Sequence, residues 1–183
     1  ETFLIRLIRG TSLTGLCAMW PRSGYFIRPL LSINKSDIID WLDAHAIAYL
    51  KDPSNELDTF LFNRIRKKVL PELQSCDERF NQNFLATLHR LQETERYLQS
   101  HTHSVYQSLI TQNGLDIPAF LSYPSAMQYR LLSQWLQENH VSFPPSQAFF
   151  DEIIRFMEQS ESKTHAIFNH WSLVKKKNRL YIS

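Results

Sequence analysis

The residues best suited to binding phosphate groups are concentrated between Thr59 and Pro71. Four cations occur there without one acidic residue: Arg64, Arg66, Lys67 and Lys68. A guanidinium stays charged at physiological pH, and its fork of N–H donors matches the oxygens of a phosphate. The segment therefore predicts phosphate contacts, although a charge run is also typical of a solvated helix face.

A polar turn stands directly before this basic segment. Residues 52–55 read Asp-Pro-Ser-Asn, and because Asp and Asn bond their own backbone while proline fixes φ, we predict a rigid corner. We predict that the helix that follows ends at Pro71. Two roles for Arg64 and Arg66 stay open, since they either bind phosphate or brace the corner through Asp52.

A second basic cluster lies near the end of the sequence. Residues 162–183 carry five cations and no acid, whereas residues 72–161 carry five cations and eleven acids. We predict that Lys-Lys-Lys-Asn at 175–178 forms the tip of a β-hairpin between strands 166–174 and 179–182. Two basic islands favour a long polyanion such as folded RNA. The alternative for the lysine run at 175–177 is an ordinary solvated hairpin turn without a phosphate contact.

The sequence shows no complete catalytic motif of its own. It has no glycine-rich phosphate loop and no zinc-ligand spacing, so we predict no metal site. His101 and His103 fit a solvated helix face. Cys17 and Cys76 stand far apart, which is typical of a reducing, cytoplasmic setting. No apolar run approaches the ~20 residues that span a bilayer, so we predict no membrane contact.

Helices with short strands between them must position these side chains. An apolar run at 25–31 predicts a short buried strand. Apolar residues at helical spacing predict five helices: over residues 1–9, from 34 onwards, from about 77 to about 110, over 124–139, and from 144 onwards.

The 183 residues are enough for one or two small domains. Residues 1–74 predict the end of an α/β domain, residues 75–111 a linker helix, and residues 112–183 a small α+β domain. Because the first helix has no cap residue before it, we expect a fragment of a longer protein. We expect residues 1–74 to aggregate, lose order or dimerise without the sheet that they complete.

Short motifs in order along nearly the whole chain resemble the bacterial tRNA(Ile)-lysidine synthases. In the first half these are Glu1-Thr2-Phe3-Leu4, Arg9-Gly10, Gly15-Leu16, Met19, Ile27-Arg28-Pro29-Leu30-Leu31, the turn at 52–55, Asn63-Arg64-Ile65-Arg66 and Pro71-Glu72-Leu73. In the second half these are Arg130-Leu131-Leu132, Trp135-Leu136 and the terminal Leu180-Tyr181-Ile182. Each motif is weak alone, and the ordered set is specific.

Two departures from the family pattern are visible. Phe62 stands where the family usually carries an arginine before Asn63. The family's Ser-Gly-Gly-x-Asp-Ser pyrophosphate loop would precede Glu1, and a further small domain would follow Ser183. The resemblance therefore implies a fragment that we expect to be inactive by itself.

The resemblance implies a fold and an activity. The fold is an α/β remnant of a PP-loop (adenine nucleotide α-hydrolase-like) domain, a long linker helix and a small α+β substrate-binding domain, mostly helical overall. The activity is ATP-dependent ligation of free L-lysine to C2 of the wobble cytidine of tRNA(Ile) with a CAU anticodon. ATP with Mg²⁺ would be bound mainly by the segment before Glu1.

The resemblance also implies roles for individual residues. Glu1 would recognise lysine. The residues on the substrate or ATP side would be Arg9, Arg28, Asp52, Asn55, Asn63, Arg64 and Arg66. The residues that bind tRNA would be Lys67, Lys68, Lys175, Lys176, Lys177 and Arg179.

Two alternatives stay open beside this hypothesis. One is a non-catalytic tRNA-binding module. The other is a different tRNA-modifying PP-loop ATPase such as a thiolase, whose catalytic cysteines or iron–sulfur ligands Cys17 and Cys76 do not supply. A homodimer is among the assemblies that we expect.

Overall fold

Most of the chain folds into helices in this computed structural model, as the sequence predicts. The structure describes residues 1–17, 19–50, 52, 60–111, 114–144, 146–159, 163–168 and 170–183. The chain divides into two units, Glu1–Glu95 and Arg96–Ser183, and the division falls within the longest helix. Both units therefore contain part of that helix, and the predicted domain limits after residues 74 and 111 stay predictions.

The first unit is built mainly from helices. They are α1 (Thr2–Ile8), α2 (Leu13–Leu16), α3 (Lys35–Ala44), α4 (Leu61–Arg64), a π-helical segment (Ile65–Val69), α5 (Leu70–Cys76) and the first part of α6 (Phe80–Leu109). Two short strands form an antiparallel pair, β1 (Arg22–Ser23) and β2 (Phe26–Ile27).

The second unit combines the end of α6 with further helices and a sheet. The helices are α7 (Ile117–Leu121), α8 (Ser125–Glu138) and α9 (Gln147–Glu158). The strands are β3 (Ile110–Thr111), β4 (Gly114–Asp116), β5 (Thr164–Ala166), β6 (Ser172–Lys176) and β7 (Arg179–Ile182).

The helical path through the basic segment continues past Pro71, where the sequence predicts its end. α4 leads into the π-helical segment, and α5 follows at once. Pro71 lies in the first turn of α5, where a missing backbone N–H removes no intrahelical hydrogen bond. The prediction that Pro71 ends the helix is wrong, because proline is tolerated at a helix start as well as after a helix end.

The apolar run at 25–31 contains a strand, but that strand is not buried. Among the described residues, β2 pairs with β1 alone. Tyr25 is fully exposed, and Phe26 and Ile27 are each 71% exposed. The prediction of a buried strand is therefore wrong, and the first unit carries an apolar surface here. Such surfaces mark places where a protein contacts another element or partner.

The predicted long amphipathic helix is confirmed as α6. Glu95 occupies a position of its apolar stripe and is fully buried. The Glu95 carboxylate accepts a hydrogen bond from the hydroxyl of Thr14 at 2.9 Å. Because a buried carboxylate is unfavourable without such donors, this bond fixes α2 against α6 within the first unit.

Asp77 fixes the N-terminal end of α6. Its carboxylate accepts a hydrogen bond from the backbone N–H of Arg79 at 2.8 Å and two from the Arg79 guanidinium at 3.1 and 3.0 Å. The guanidinium bonds, and after them the backbone bond, lower the pKa of Asp77 below its ordinary value. The arrangement ties the ionised carboxylate to the start of the helix.

We expect the start of α6 to open more often as the pH falls through the folded-state pKa of Asp77. Since that pKa lies below the value in the unfolded chain, the stabilisation is complete above the unfolded value of about 4 and is lost on acidification. Hydrogen exchange of the Asn83 amide, which donates to the Arg79 carbonyl, reports the opening after correction for the intrinsic rate. Asp77→Asn should exchange faster at neutral pH, and equal protection in both proteins would contradict the prediction.

The second unit is an antiparallel sheet covered by helices on its core side. The strand order is β3-β4-β7-β6-β5, so the terminal hairpin β6–β7 lies inside the sheet. The predicted helices over 124–139 and from 144 onwards are confirmed as α8 and α9. The core consists of Tyr106, Leu109, Leu115, Ile117, Phe120, Leu131, Leu132, Trp135, Leu136, Val141, Phe149, Phe150, Ile153, Phe156, Met157, Leu173 and Leu180.

Polar contacts fix α9 in this unit. Ser146 caps its first turn by accepting a hydrogen bond from the Phe149 N–H at 3.3 Å. Tyr129 on α8 donates its hydroxyl to Asp151 on α9 at 2.6 Å, and this hydrogen bond raises the pKa of Tyr129. One face of α9 is thus held in the core, and its other face is left for solvent or a ligand.

Candidate functional site

The π-helical segment brings Arg66 to the carboxylate of Glu1. Arg66 donates from Nε to one carboxylate oxygen at 2.5 Å and from Nη2 to the other at 3.0 Å. The two residues are 65 positions apart in the sequence, and they meet because α1 packs against α4. Short π-helical segments are frequent at functional sites. The geometry is a two-point ion pair of the kind that fixes both side chains.

Arg66 is supported from a second side by Phe62. The guanidinium carbon lies 4.8 Å from the centroid of the Phe62 ring, a cation–π distance. The hydrogen bonds to Glu1 raise the pKa of Arg66 above its ordinary value. Phe62 is the position at which the resemblance expects an arginine, and here its ring supports the neighbouring arginine.

The Glu1–Arg66 pair stays accessible to a small ligand. The side chains of Arg66 and Glu1 are 35% and 25% exposed. An ionised carboxylate has about four acceptor sites, so a bidentate arginine leaves acceptor sites for a further cation. The pair can therefore hold an ammonium group without being broken.

The neighbouring residues of the basic segment differ in exposure. Asn63 is 5% exposed and belongs to the buried part of α4. Arg64, Lys67 and Lys68 are exposed. The three exposed cations and Arg66 lie on one continuous helical stretch, which fits contact with a polyanion.

The other predicted residues of the first unit are placed differently. Arg9 caps the C-terminal end of α1, opposite to Glu1. Arg28 donates to the carbonyl of Trp20 at 3.1 Å, so the described contact of this guanidinium is with backbone. Asp52 is exposed. Asn55 and the rest of the predicted corner lie outside the described residues.

The terminal hairpin is confirmed, but its first strand covers Ser172–Lys176 instead of the predicted 166–174, and its tip is shorter than predicted. β6 extends to Lys176 and β7 begins at Arg179, so the turn consists of Lys177 and Asn178. Lys175 is a strand residue that is only 8% exposed. Its ammonium donates to the carbonyls of Met157 and Gln159 at the end of α9.

The burial of Lys175 favours a structural role, and its assignment to tRNA binding stays a prediction. A buried ammonium that caps the carbonyls of a helix end is a structural group. The sequence carries a signal for this burial. Side chains alternate between the two faces of a strand, so Lys175 lies on the same face as Leu173. Burial alternates in this way along β6, where Leu173 and Lys175 are the buried residues.

The other cations of the hairpin remain on the surface or at its edge. Lys176 is exposed, with its ammonium 5.7 Å from the centroid of the Tyr181 ring. Lys177 is exposed in the turn. Arg179 forms an ion pair with Asp116 at 3.2 Å. Lys176 and Lys177 are thus the hairpin residues best placed to meet a polyanion.

Comparison with known proteins assigns a family to this arrangement. Residues 1–73 match the model of a PP-loop domain, and residues 115–181 match the model of the TilS substrate binding domain. The chain is 32% identical over 173 residues, 88% of its length, to a tRNA(Ile)-lysidine synthase from Bacillus cereus. The chain belongs to the tRNA(Ile)-lysidine synthase family. The predicted order of a PP-loop domain and a substrate-binding domain is thereby confirmed.

Other members of the tRNA(Ile)-lysidine synthase family show a similar identity over different lengths. The Bacillus subtilis (strain 168) protein is 32% identical over 174 residues, which is 88% of this chain and 36% of that protein. The Bacteroides thetaiotaomicron protein is 33% identical over 125 residues, which is 68% of this chain and 29% of that protein. The chain therefore spans about a third of the length of the curated relatives that it matches.

The family assignment places the candidate residues in domains. Glu1 and Arg66 lie in the PP-loop match, and the hairpin cations lie in the substrate-binding match. Among the described residues, no group of three or more His, Cys, Asp or Glu side chains is arranged to hold a metal ion. No helix within the described ranges is long and apolar enough to cross a membrane.

Proposed function

We propose that the protein that contains this chain is a tRNA(Ile)-lysidine synthase. The proposed reaction is ATP-dependent ligation of free lysine to C2 of the wobble cytidine of tRNA(Ile) with a CAU anticodon. The observation that carries the proposal is the succession of a PP-loop domain and a TilS substrate binding domain in one chain. We place the reaction in the cytoplasm, where tRNA, ATP and lysine are available together.

The proposed reaction has two balanced steps. The C2 oxygen of cytosine attacks the α-phosphorus of ATP, and pyrophosphate leaves. The neutral ε-amine of lysine then attacks C2, the C2–O bond breaks, and AMP leaves with the oxygen while the amine loses its protons to bases or water. Esterification is needed because an unmodified cytosine carbonyl is a poor electrophile.

In this proposal Glu1 binds an ammonium group of lysine and Arg66 positions Glu1. The two-point ion pair holds both carboxylate oxygens in place. The accessible acceptor sites of Glu1 can bind the cationic substrate at a defined distance from the reacting base. Arg66 is accordingly a positioning residue, whereas our sequence-based hypothesis gave it a phosphate contact.

The exposed cations are proposed to bind phosphates. Arg64, Lys67 and Lys68 on the basic helical stretch suit the phosphates of ATP or of tRNA, since all three are charged and exposed. Lys176 and Lys177 suit tRNA phosphates on the second unit. The Mg²⁺ that we expect would be carried by the phosphates of ATP.

The alternatives are less well supported by the described residues. A thiolase of this superfamily would use cysteines or iron–sulfur ligands, but Cys17 is buried with its thiol 3.5 Å from the Leu91 carbonyl, and Cys76 is exposed. A non-catalytic tRNA-binding module would account for the exposed cations, but not for the accessible Glu1–Arg66 pair. A homodimer that covers the exposed apolar residues of the first unit is a further proposal.

The test is incorporation of radiolabelled lysine into tRNA by the full-length protein. We expect ATP-dependent labelling of tRNA(Ile) with a CAU anticodon and no labelling of a methionine tRNA with the same anticodon. Binding of both tRNAs without any lysine incorporation would instead support a non-catalytic module. ATP-dependent transfer of sulfur without lysine incorporation would support a thiolase.

A further inference from the structure

We propose that a crevice between α9 and β5 of the second unit binds one nucleotide of the RNA substrate through its phosphate. This proposal rests on the proposed function and adds a contact site away from the hairpin tip. The crevice has a volume of about 470 Å³, within the range of small-ligand sites. It is lined by Glu152, Arg155, Phe156, Gln159, Lys163, Thr164 and His165.

The lining of this α9–β5 crevice is rich in hydrogen-bond donors. Arg155 and Lys163 supply positive charge, and Gln159 and Thr164 supply a neutral amide and a hydroxyl. Arg155 is anchored by a bond from its Nε to the Asp151 carbonyl at 3.3 Å, which aims the guanidinium along α9. Guanidinium and ammonium groups, together with neutral amide and hydroxyl donors, are the side-chain groups that bind RNA phosphates.

The acidic residue in the lining is engaged within the crevice. The Glu152 carboxylate lies 2.8 Å from Nε2 of His165. That contact holds the imidazole ring against the wall and engages one of the two carboxylate oxygens. The lining carries two cations, Arg155 and Lys163, against this one carboxylate, so its net charge still favours a phosphate.

The end of α9 would ordinarily repel a phosphate. Its last carbonyls carry the negative end of the helix dipole, and Gln159 lies at that end. The Lys175 ammonium donates to the carbonyls of Met157 and Gln159 and so neutralises them. The backbone N–H of Lys175 donates to the backbone carbonyl of Lys163 at 2.9 Å. This bond fixes the backbone of Lys163 beside the helix end.

One wall of the crevice suits a base or a ribose. The ring of His165 stacks on Phe156, with 5.0 Å between the centroids and 25° between the planes. Phe156 is buried in the core, so the inner face of His165 is covered and its outer face is left for the crevice. RNA-binding proteins commonly stack unpaired bases on such aromatic faces. The occupant that fits is a nucleotide of a structured RNA.

The test compares tRNA binding by full-length variants over a range of salt concentrations. Arg155→Ala combined with Lys163→Ala should weaken binding about tenfold and lower the slope of log affinity against log salt by about two. Lys35→Ala combined with Arg90→Ala is the matched control, because it removes two exposed cations from the first unit. Circular dichroism verifies that each variant is folded.

The outcomes separate this proposal from the proposed function. If the unaltered protein binds no tRNA, both proposals fall. If it binds tRNA and the crevice variant keeps the same affinity and slope, the crevice proposal alone is overturned. Equal losses in the crevice variant and the control would also overturn it, since the effect would then be one of net charge.

A second measurement does not depend on substitutions. Amide resonances of Thr164 and the side-chain amide of Gln159 should shift when an unmodified RNA stem-loop is added, and much less when inorganic phosphate is added at the same concentration. Shifts with AMP or phosphate but not with RNA would show a site for a free phosphorylated metabolite, and would overturn the assignment to RNA.

Discussion

Glu1→Gln is expected to raise the Michaelis constant for lysine on the order of 100-fold in the full-length enzyme. The substitution keeps the shape of the side chain but removes the charge that binds an ammonium group and pairs with Arg66. A hydrogen bond to a charged partner contributes about 1.5–3 kcal/mol, and each 1.4 kcal/mol is a factor of ten. Initial rates of lysine incorporation at varied lysine concentration measure the effect, with Glu72→Gln as an exposed control in the same unit.

Substitutions of Arg66 distinguish a role in positioning Glu1 from a role in binding phosphate. If Arg66 positions Glu1, Arg66→Met should raise the Michaelis constant for lysine about tenfold and leave tRNA affinity and its salt dependence unchanged. Arg66→Lys should restore part of the loss, because an ammonium keeps the charge but cannot form the two-point pair. The exposed Arg22 supplies the control Arg22→Met. An unchanged lysine constant with weaker tRNA binding would return Arg66 to the phosphate-binding residues.

The helices could be predicted from the sequence because their signal is local. Apolar residues at spacings of three and four predicted α6 over nearly its full length, and the structure confirms it from Phe80 to Leu109. The prediction of a buried strand at 25–31 was wrong because burial is not a local property. A short apolar run fixes the tendency to form a strand, but burial depends on which elements cover that strand, and this is not a local property.

The candidate site could be predicted only in part. The ordered motifs identified Glu1 and Arg66 as candidates, but nothing local pairs two residues that are 65 positions apart. The two roles left open for Arg66 are a phosphate contact and a brace through Asp52, and the described partner of its guanidinium is Glu1. Long-range contacts of this kind depend on the packing of α1 against α4, which periodicity does not specify.

The α9–β5 crevice was missed for a related reason. Arg155 and Lys163 are separated by two acidic residues, Glu158 and Glu161, so they form no charge run in the sequence. Both line the crevice between α9 and β5 in the folded unit. Clusters that form across elements are visible only when the fold is known.

Lys175→Met is expected to lower the free energy of unfolding of the second unit by about 2 kcal/mol. Methionine fills the space of the lysine stem, but the carbonyls of Met157 and Gln159 lose their donor. Leaving buried acceptors unpaired costs about 1–3 kcal/mol each, and relief from burying an ammonium offsets part of that cost. Chemical denaturation followed by tryptophan fluorescence measures the change, since Trp135 is in the core of this unit.

Lys176→Met is the matched control for Lys175→Met, because the two lysines are adjacent and only Lys175 is buried. Lys176→Met removes the same charge from an exposed position, so its effect on stability should stay within about 0.5 kcal/mol. It should instead lower the salt slope of tRNA binding by about one, whereas Lys175→Met should leave the slope unchanged, because the slope counts phosphate contacts. The reverse pattern, an unchanged stability and a reduced slope for Lys175→Met, would show that Lys175 leaves the end of α9 to bind RNA.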